Sequence, residues 1–296
     1  MGLVLLTRRS VVQQTAVCSV LGTAAAATAP VAAAARTRGA ALHLANRTPQ
    51  DDLMLWAKLK ADLSGKTLYS ITTGMVWGFR PQADDLTLDE FARRLYGYAT
   101  CTARRGSIVD GGRVSIRSKS WNFYLHPDTL EFARQVLNPY TGKVVPSAPM
   151  IASTRQQIYS VDGPIETPSI PLEVRKPTRP FDLRVRIVGE HAFVDETSFV
   201  RFKPLDISWH KLEGTLWSHS CLVRDLTDTS LSHVPSTWSQ NLIAEWQTWM
   251  GMHGAPGHIL FKGDGCNVRR AEQIPDDIRR NIETVTPGGL EETLVW

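Results

Sequence analysis

Residues 213–224 read as a strand whose alternation sets Glu213, Thr215, Trp217, His219 and Cys221 on one face and Leu216, Ser218, Ser220 and Leu222 on the other. The first face mixes titratable and aromatic groups. An imidazole in that company can act as general acid or base, because its pKa lies near neutrality and moves easily. The plain alternative is a buried histidine bonded to a backbone carbonyl. A metal reading would join His219 to His210, Cys221 or His258, but no ligand spacing supports it, so no metal is expected.

A second face comes from residues 113–125, where Arg113, Ser115, Arg117, Lys119, Trp121 and Phe123 alternate with Val114, Ile116, Ser118, Ser120, Asn122 and Tyr124. Arg117 pointing into an aromatic cavity can hold a carboxylate or phenolate, and either Arg117 or Tyr124 can stabilise developing negative charge. The alternative is a solvated basic face. Asp195 and Glu196 supply the nearest carboxylates, and adjacency on one strand turns one of them outward; Asp195 joins His219, Arg117 and Tyr124 as the catalytic candidates. Of the nine tryptophans most fill cores, while Trp77, Trp121 and Trp217, with Tyr140, are the candidates for ligand contact. A cluster of Trp77, Tyr124, Trp217 and His219 would suit a cyclic, hydrophobic or aromatic small molecule.

The sequence holds no G-x-S-x-G elbow, no phosphate loop with its lysine, no H-E-x-x-H and no dinucleotide fingerprint after a strand, so no cofactor is expected. Gly263-Asp264-Gly265 lacks the lysine and following helix of a phosphate loop.

The elements that must position these residues are mostly strands. Thr48-Pro49-Gln50-Asp51-Asp52 followed by Leu53, Trp56, Leu59 and Leu63 predicts a capped helix ending at Gly65. Strands are expected at 67–79, 94–104, 113–125, 129–137, 143–150, 182–189, 192–202 and 213–224, several joined by turns such as Asp110-Gly111-Gly112. The run Pro164 to Pro180 reads as an extended connection or a lid. Helices are expected at 237–251 and 275–285. The fold class is therefore mainly β with some α: a single antiparallel meander closing into a calycin-like or related β-barrel, with an N-terminal helix and C-terminal helices.

Residues 1–35 carry no acidic residue, only Arg8 and Arg9 as charges, and an Ala-rich apolar run ending at Ala35. The order is that of a secretory signal, and Thr7-Arg8-Arg9-Ser10-Val11-Val12 resembles the twin-arginine type. A membrane anchor fits less well, since Gln13, Gln14 and several Ser and Thr interrupt the segment; a lipoprotein at Cys18 fits less well still. The expected organisation is a signal over 1–35, a linker over 36–50 and one β-rich domain over 51–296, working in the periplasm or secreted, with the twin-arginine machinery as a transient partner and no stable membrane span. Removing 1–35 takes two of the 33 basic residues and none of the 29 acidic ones, so a net charge of +4 becomes +2, which makes no case for nucleic-acid binding. Cys101, Cys221 and Cys266 remain, enough for at most one disulfide.

Asn138-Pro139-Tyr140-Thr141-Gly142-Lys143-Val144-Val145, the run Asp52-Leu53 to Lys58-Leu59 followed by Thr73-Gly74-Met75-Val76, and Pro256-Gly257-His258-Ile259-Leu260-Phe261-Lys262 together resemble the bacterial and fungal family catalogued as domain of unknown function 1838. That resemblance implies one domain spanning nearly all of the mature chain and carries over no catalytic residue. Physically, Asn138 to Gly142 is a turn, with Tyr140 or Asn138 alternatively at a cavity mouth. The functional expectation is an exported protein binding a small apolar or aromatic molecule: a cofactor-independent lyase, isomerase or hydrolase using His219, or a non-catalytic periplasmic carrier. A structural envelope protein is the third reading, with Trp238 to Met252 as its exposed apolar patch.

Overall fold

The first helix shows how local sequence begins the architecture. Thr48 caps α1 (Pro49–Lys60): its hydroxyl accepts from Asp51 N at 3.2 Å while Asp51 Oδ2 accepts from Thr48 N at 2.8 Å. The helix ends at Lys60, before Gly65, because Ala61 already turns extended (φ −149°) to lead the chain towards the sheet. The computed structural model describes residues 44–80, 92–165, 183–202, 211–252 and 254–292. The expected signal over residues 1–35 and the Pro-rich run beyond Ile165 lie outside these, as do Trp209 and His210.

Ten strands form one antiparallel sheet. From β1 (Leu68–Phe79) the chain steps outward through β2 (Ala92–Val109), β3 (Arg113–Leu125), β6 (Met150–Ser160) and β7 (Gly163–Ile165), with a small hairpin of β4 (Gln135–Asn138) and β5 (Lys143–Pro146) inserted on the way. It resumes at the opposite edge with β8 (Leu183–Val188) and works back through β9 (His191–Phe202), β10 (Lys211–Leu222), β11 (Thr237–Ala244) and β12 (His258–Val268) until β12 pairs with β1. The first and last long strands are thus neighbours at the centre. Among the described residues β7 and β8 remain edges and do not pair with each other, so the expected closed barrel is not found; the arrangement is two meanders joined at β1 and β12.

The sheet nevertheless curls. Leu53, Trp56, Ala57 and Leu59 of α1 share a core with Val114 and Ile116 of β3 on one wing and with Leu183, Ala192 and Val194 of β8 and β9 on the other. One helix touching both wings requires a concave face wrapped around it. Over β1, β2 and β3 the convex face is covered by α3 (Asp276–Val285), whose Ile278 and Ile282, one turn apart, pack with Trp121, Phe123, Tyr69 and Ile71. A short α2 (Val223–Thr227) follows β10, and α4 (Gly289–Glu292) follows α3.

Several expectations change. Residues 237–251 are not a helix but β11 followed by a short 3-10 turn at Thr248–Met250. Trp238, Leu242, Trp246 and Trp249 mimic helical spacing, yet Trp238, Gln240, Leu242 and Ala244 also alternate, and pairing with both β10 and β12 decides for the strand. Trp238, Trp246, Met250 and Met252 are buried, so this segment is no exposed apolar patch. Residues 129–137 form mostly turn, with a single bridge from Phe132 to Leu125 before β4. Strand β5 ends at Pro146, and β6 and β12 were not anticipated; Gly263-Asp264-Gly265 lies within β12. The Asn138 to Gly142 turn forms as expected: Asn138 O accepts from Gly142 N at 2.9 Å, and Gly142 takes φ 68°. The three cysteines are free. Cys101 and Cys266 both pair with Ile71 from opposite sides, about 9–10 Å apart, too far to bridge.

Candidate functional site

Alternation on β10 and its partners fills the concave face. His219 and Trp217 of β10 stand beside Glu196 of β9 and Trp238 of β11, while Lys60 reaches over them from the last turn of α1. Lys60 falls on the apolar stripe of α1, one turn past Trp56, which is why an ammonium ends up inside. Lys60 Nζ lies 2.7 Å from Glu196 Oε2 and 3.6 Å from the centre of the Trp217 ring. Trp56 Nε1 donates to Glu196 Oε1 at 2.9 Å, fixing the carboxylate from the other side. Trp56 also packs on Tyr159 of β6, with ring centres 4.6 Å apart. The helix therefore ties both wings of the sheet at this cluster.

His219 is 1 % exposed. Its ring stacks on Trp217 at 5.6 Å and meets Trp238 at 5.8 Å. Its Nε2 is 4.0 Å from Glu196 Oε2, beyond hydrogen-bond distance, and among the described residues neither ring nitrogen has a hydrogen-bond partner. Among the described residues no backbone carbonyl takes the bond that a purely structural histidine would make. A buried imidazole N–H left unpaired costs about 1–3 kcal/mol.

The electrostatics form one network. Burial, with help from Lys60 and Arg104, holds the His219 pKa well below its usual value, so the ring is neutral at neutral pH. Burial also lowers the Lys60 ammonium, opposed by Glu196. Arg104 of β2 projects onto the same face and donates to Ser70 Oγ at 2.7 Å. Ser70 Oγ in turn donates to Asn267 Oδ1 at 2.7 Å, and Asn267 Nδ2 donates to Leu59 O at 3.3 Å, so one amide links the seat of Arg104 to the helix end that carries Lys60. Burial raises the Tyr159 phenol, keeping it neutral.

Glycines keep the middle of this face low. A Cβ at Gly265 would lie 2.4 Å from the Trp238 ring, and one at Gly263 would lie 2.3 Å from the Tyr98 hydroxyl. Both rings therefore lie along the sheet instead of filling the space above it. Thr100, Ser118, Asn122, Thr215, Gln240 and Phe261 on this face are only half-buried, so the concavity keeps solvent access. At its far end a second aromatic group gathers Tyr96, Tyr124 and Trp249, with Tyr96–Tyr124 centroids 5.3 Å apart and Trp249 Nε1 donating to Tyr124 Oη at 3.2 Å.

Of the sequence-selected residues, the structure brings together His219 and Trp217. Tyr124 shares their face at the other aromatic group. Arg117 and Trp121 lie on the convex face, where Trp121 Nε1 donates to Thr286 Oγ1 at 3.2 Å beneath α3. Trp77 falls on that face too. Asp195 also points away, accepting from Ser218 Oγ at 2.6 Å and pairing with Arg186, so the inward member of the acidic pair is Glu196. Tyr140 packs on Trp246 and donates to Gly78 O at 2.6 Å, closing the end of the concavity away from His219. The side chain of Glu213 lies outside the described residues. Among the described residues no His, Cys, Asp and Glu group has metal-site geometry.

Residues 66–290 match the family described as Protein of unknown function (DUF1838). The chain belongs to this family. The match begins just after α1, so the DUF1838 segment supplies Arg104, Tyr159, Glu196, Trp217 and His219, whereas Trp56 and Lys60 come from the preceding helix. No curated protein matches the chain.

Proposed function

We propose that the concave-face cluster is an acid–base site acting on a small apolar or aromatic molecule without a cofactor, in a lyase, isomerase or hydrolase reaction. The observation carrying this reading is His219: buried, neutral, without a hydrogen bond at either nitrogen among the described residues, and placed between two indoles and a carboxylate. A neutral imidazole accepts a proton, Glu196 at 4.0 Å stabilises the imidazolium that results, and Lys60 and Arg104 stabilise negative charge developing on the substrate. On this reading Lys60 and Arg104 take the stabilising role expected of Arg117, which lies on the convex face, and of Tyr124, which shares the concave face but stands at its other aromatic group. The curled sheet acts as an incomplete barrel around the ligand. Arg8-Arg9 and the apolar run after it support export through the twin-arginine route and work in the periplasm or outside the cell; if replacing both arginines by lysine left the exported fraction unchanged, that part would fail.

The catalytic test is a panel of small aromatic and apolar acids, esters and ketones screened by tryptophan fluorescence, with each binder then incubated with protein and followed by NMR. Wild type converts at least one binder, and His219→Gln, still folded and still binding, converts it about a hundredfold more slowly or worse. Equal rates would remove His219 from the chemistry. Binding with no conversion by wild type would instead identify a carrier.

A further inference from the structure

The described charges of the cluster do not balance. Lys60, ion-paired to Glu196, and Arg104 are cationic, among the described residues Glu196 is the only carboxylate that acts on both, and His219 and Tyr159 are neutral. Glu196 is already committed: Lys60 lies 2.7 Å from one oxygen and Trp56 donates to the other. Arg104 bonds only the neutral Ser70 hydroxyl, and among the described residues no carboxylate lies within 4.0 Å of its guanidinium. A guanidinium has five donors in a planar fork suited to two carboxylate oxygens, and one donor is used here. A half-buried guanidinium with no carboxylate partner among the described residues gains from an anion bound beside it, so what the site binds can supply the missing charge.

We infer that the ligand of this site is a small aromatic carboxylate, its carboxylate seated against Arg104 and its ring beside the half-buried Trp217. This rests on the proposed function for the existence of a ligand site and adds the ligand's charge. The Ser70–Asn267 relay holds the guanidinium in place, so the fork is oriented before the ligand arrives.

Two shape-matched probes separate the inference from the reading beneath it: 2-naphthoate and its neutral amide, titrated into the purified protein by calorimetry and by tryptophan fluorescence. The acid binds at least about tenfold more tightly than the amide, as expected for a charge-assisted pair. Arg104→Gln abolishes that preference, Arg104→Lys restores part of it, and thermal melts confirm that each variant is folded. If Arg104→Gln does not fold, Arg104→Lys and Trp217→Phe serve: the first narrows the preference, the second weakens both probes alike. Equal binding of acid and amide to wild type overturns the carboxylate inference and leaves the aromatic site standing. Failure of both probes to bind overturns the site itself.

Discussion

Acidification from about pH 7 to about pH 5 should destabilise the fold through His233, and the structure gives the size of the effect. His233 is 3 % exposed, and its Nε2 lies 3.4 Å from Asn267 Nδ2, the amide that also donates to Leu59 O. Nε2 must therefore accept, and protonating it would turn two donors against each other. Burial, then Arg269, lowers the His233 pKa from 6.5 to about 4, with Asp62 opposing. The unfolded chain consequently binds a proton that the folded chain refuses between about pH 6.5 and about pH 4. Stability is fully present above the upper limit, falls with pH across the window and levels off below it. Over the whole window the loss is about 3 kcal/mol, of which about 2 kcal/mol falls between pH 7 and pH 5. His219, also held neutral by burial, adds in the same direction. Urea denaturation of wild type and His233→Gln at both pH values isolates the contribution, since every other titrating group is common to the pair. The acid loss should be about 2 kcal/mol smaller in the variant. A variant that loses as much stability as wild type would show that His233 protonates as readily in the fold as out of it, and the polar network drawn through Asn267 would be wrong.

Glu196→Gln keeps an acceptor for Trp56 but leaves Lys60 and Arg104 without a counter-charge; stability should fall by about 3 kcal/mol in urea denaturation, and a loss below about 1 kcal/mol would mean solvent already screens the pair. Gly265→Ala places a methyl 2.4 Å from the Trp238 ring and 2.5 Å from Ile71 O, so the ring must lift or the strands part. The melting temperature should drop by several degrees and probe binding beside Trp217 should weaken; an unchanged melt would refute the claim that the glycine lets the ring lie flat.

The sequence made some of this legible and not the rest, for reasons specific to each residue. The cap at Thr48, the turn at Asn138 to Gly142 and the strand holding Trp217 and His219 rest on local chemistry, and they appear as read. Alternation correctly required Asp195 and Glu196 to face opposite ways, but which one turns inward depends on pairing with Trp217 across β9 and β10, which no local pattern specifies. Residues 113–125 carry chemistry on both sides of the strand, so the sequence does not say which side Arg117 and Trp121 share with His219; α1 packing on Val114 and Ile116 and α3 packing on Trp121 and Phe123, both remote in sequence, decide it. Lys60 left a signal that was missed: Leu53, Trp56, Ala57 and Lys60 follow helical spacing, so a lysine sits where the apolar stripe predicts an apolar residue. Arg104 left none, since it follows Thr100 and Thr102 on a strand that reads simply as half-polar.

A stability argument alone does not account for the Lys60–Glu196–Arg104–His219 group. Buried ion pairs commonly break even against hydrophobic residues of similar size, and an unpaired buried imidazole is a net cost. Here both occur on the face where the sheet is already cored by Leu53, Val114, Ile116, Ala192 and Val194, so apolar substitutes would have found partners on every side. The neighbouring glycines point the same way, since Gly263 and Gly265 forgo side chains at the centre of the sheet, where packing would gain most from them, and hold two aromatic rings flat beneath an accessible concavity. Among the described residues a guanidinium without a carboxylate partner, an imidazole without a hydrogen bond and space kept above the strands all lie on this one concave face. The proposed ligand site is a reading under which each has a use.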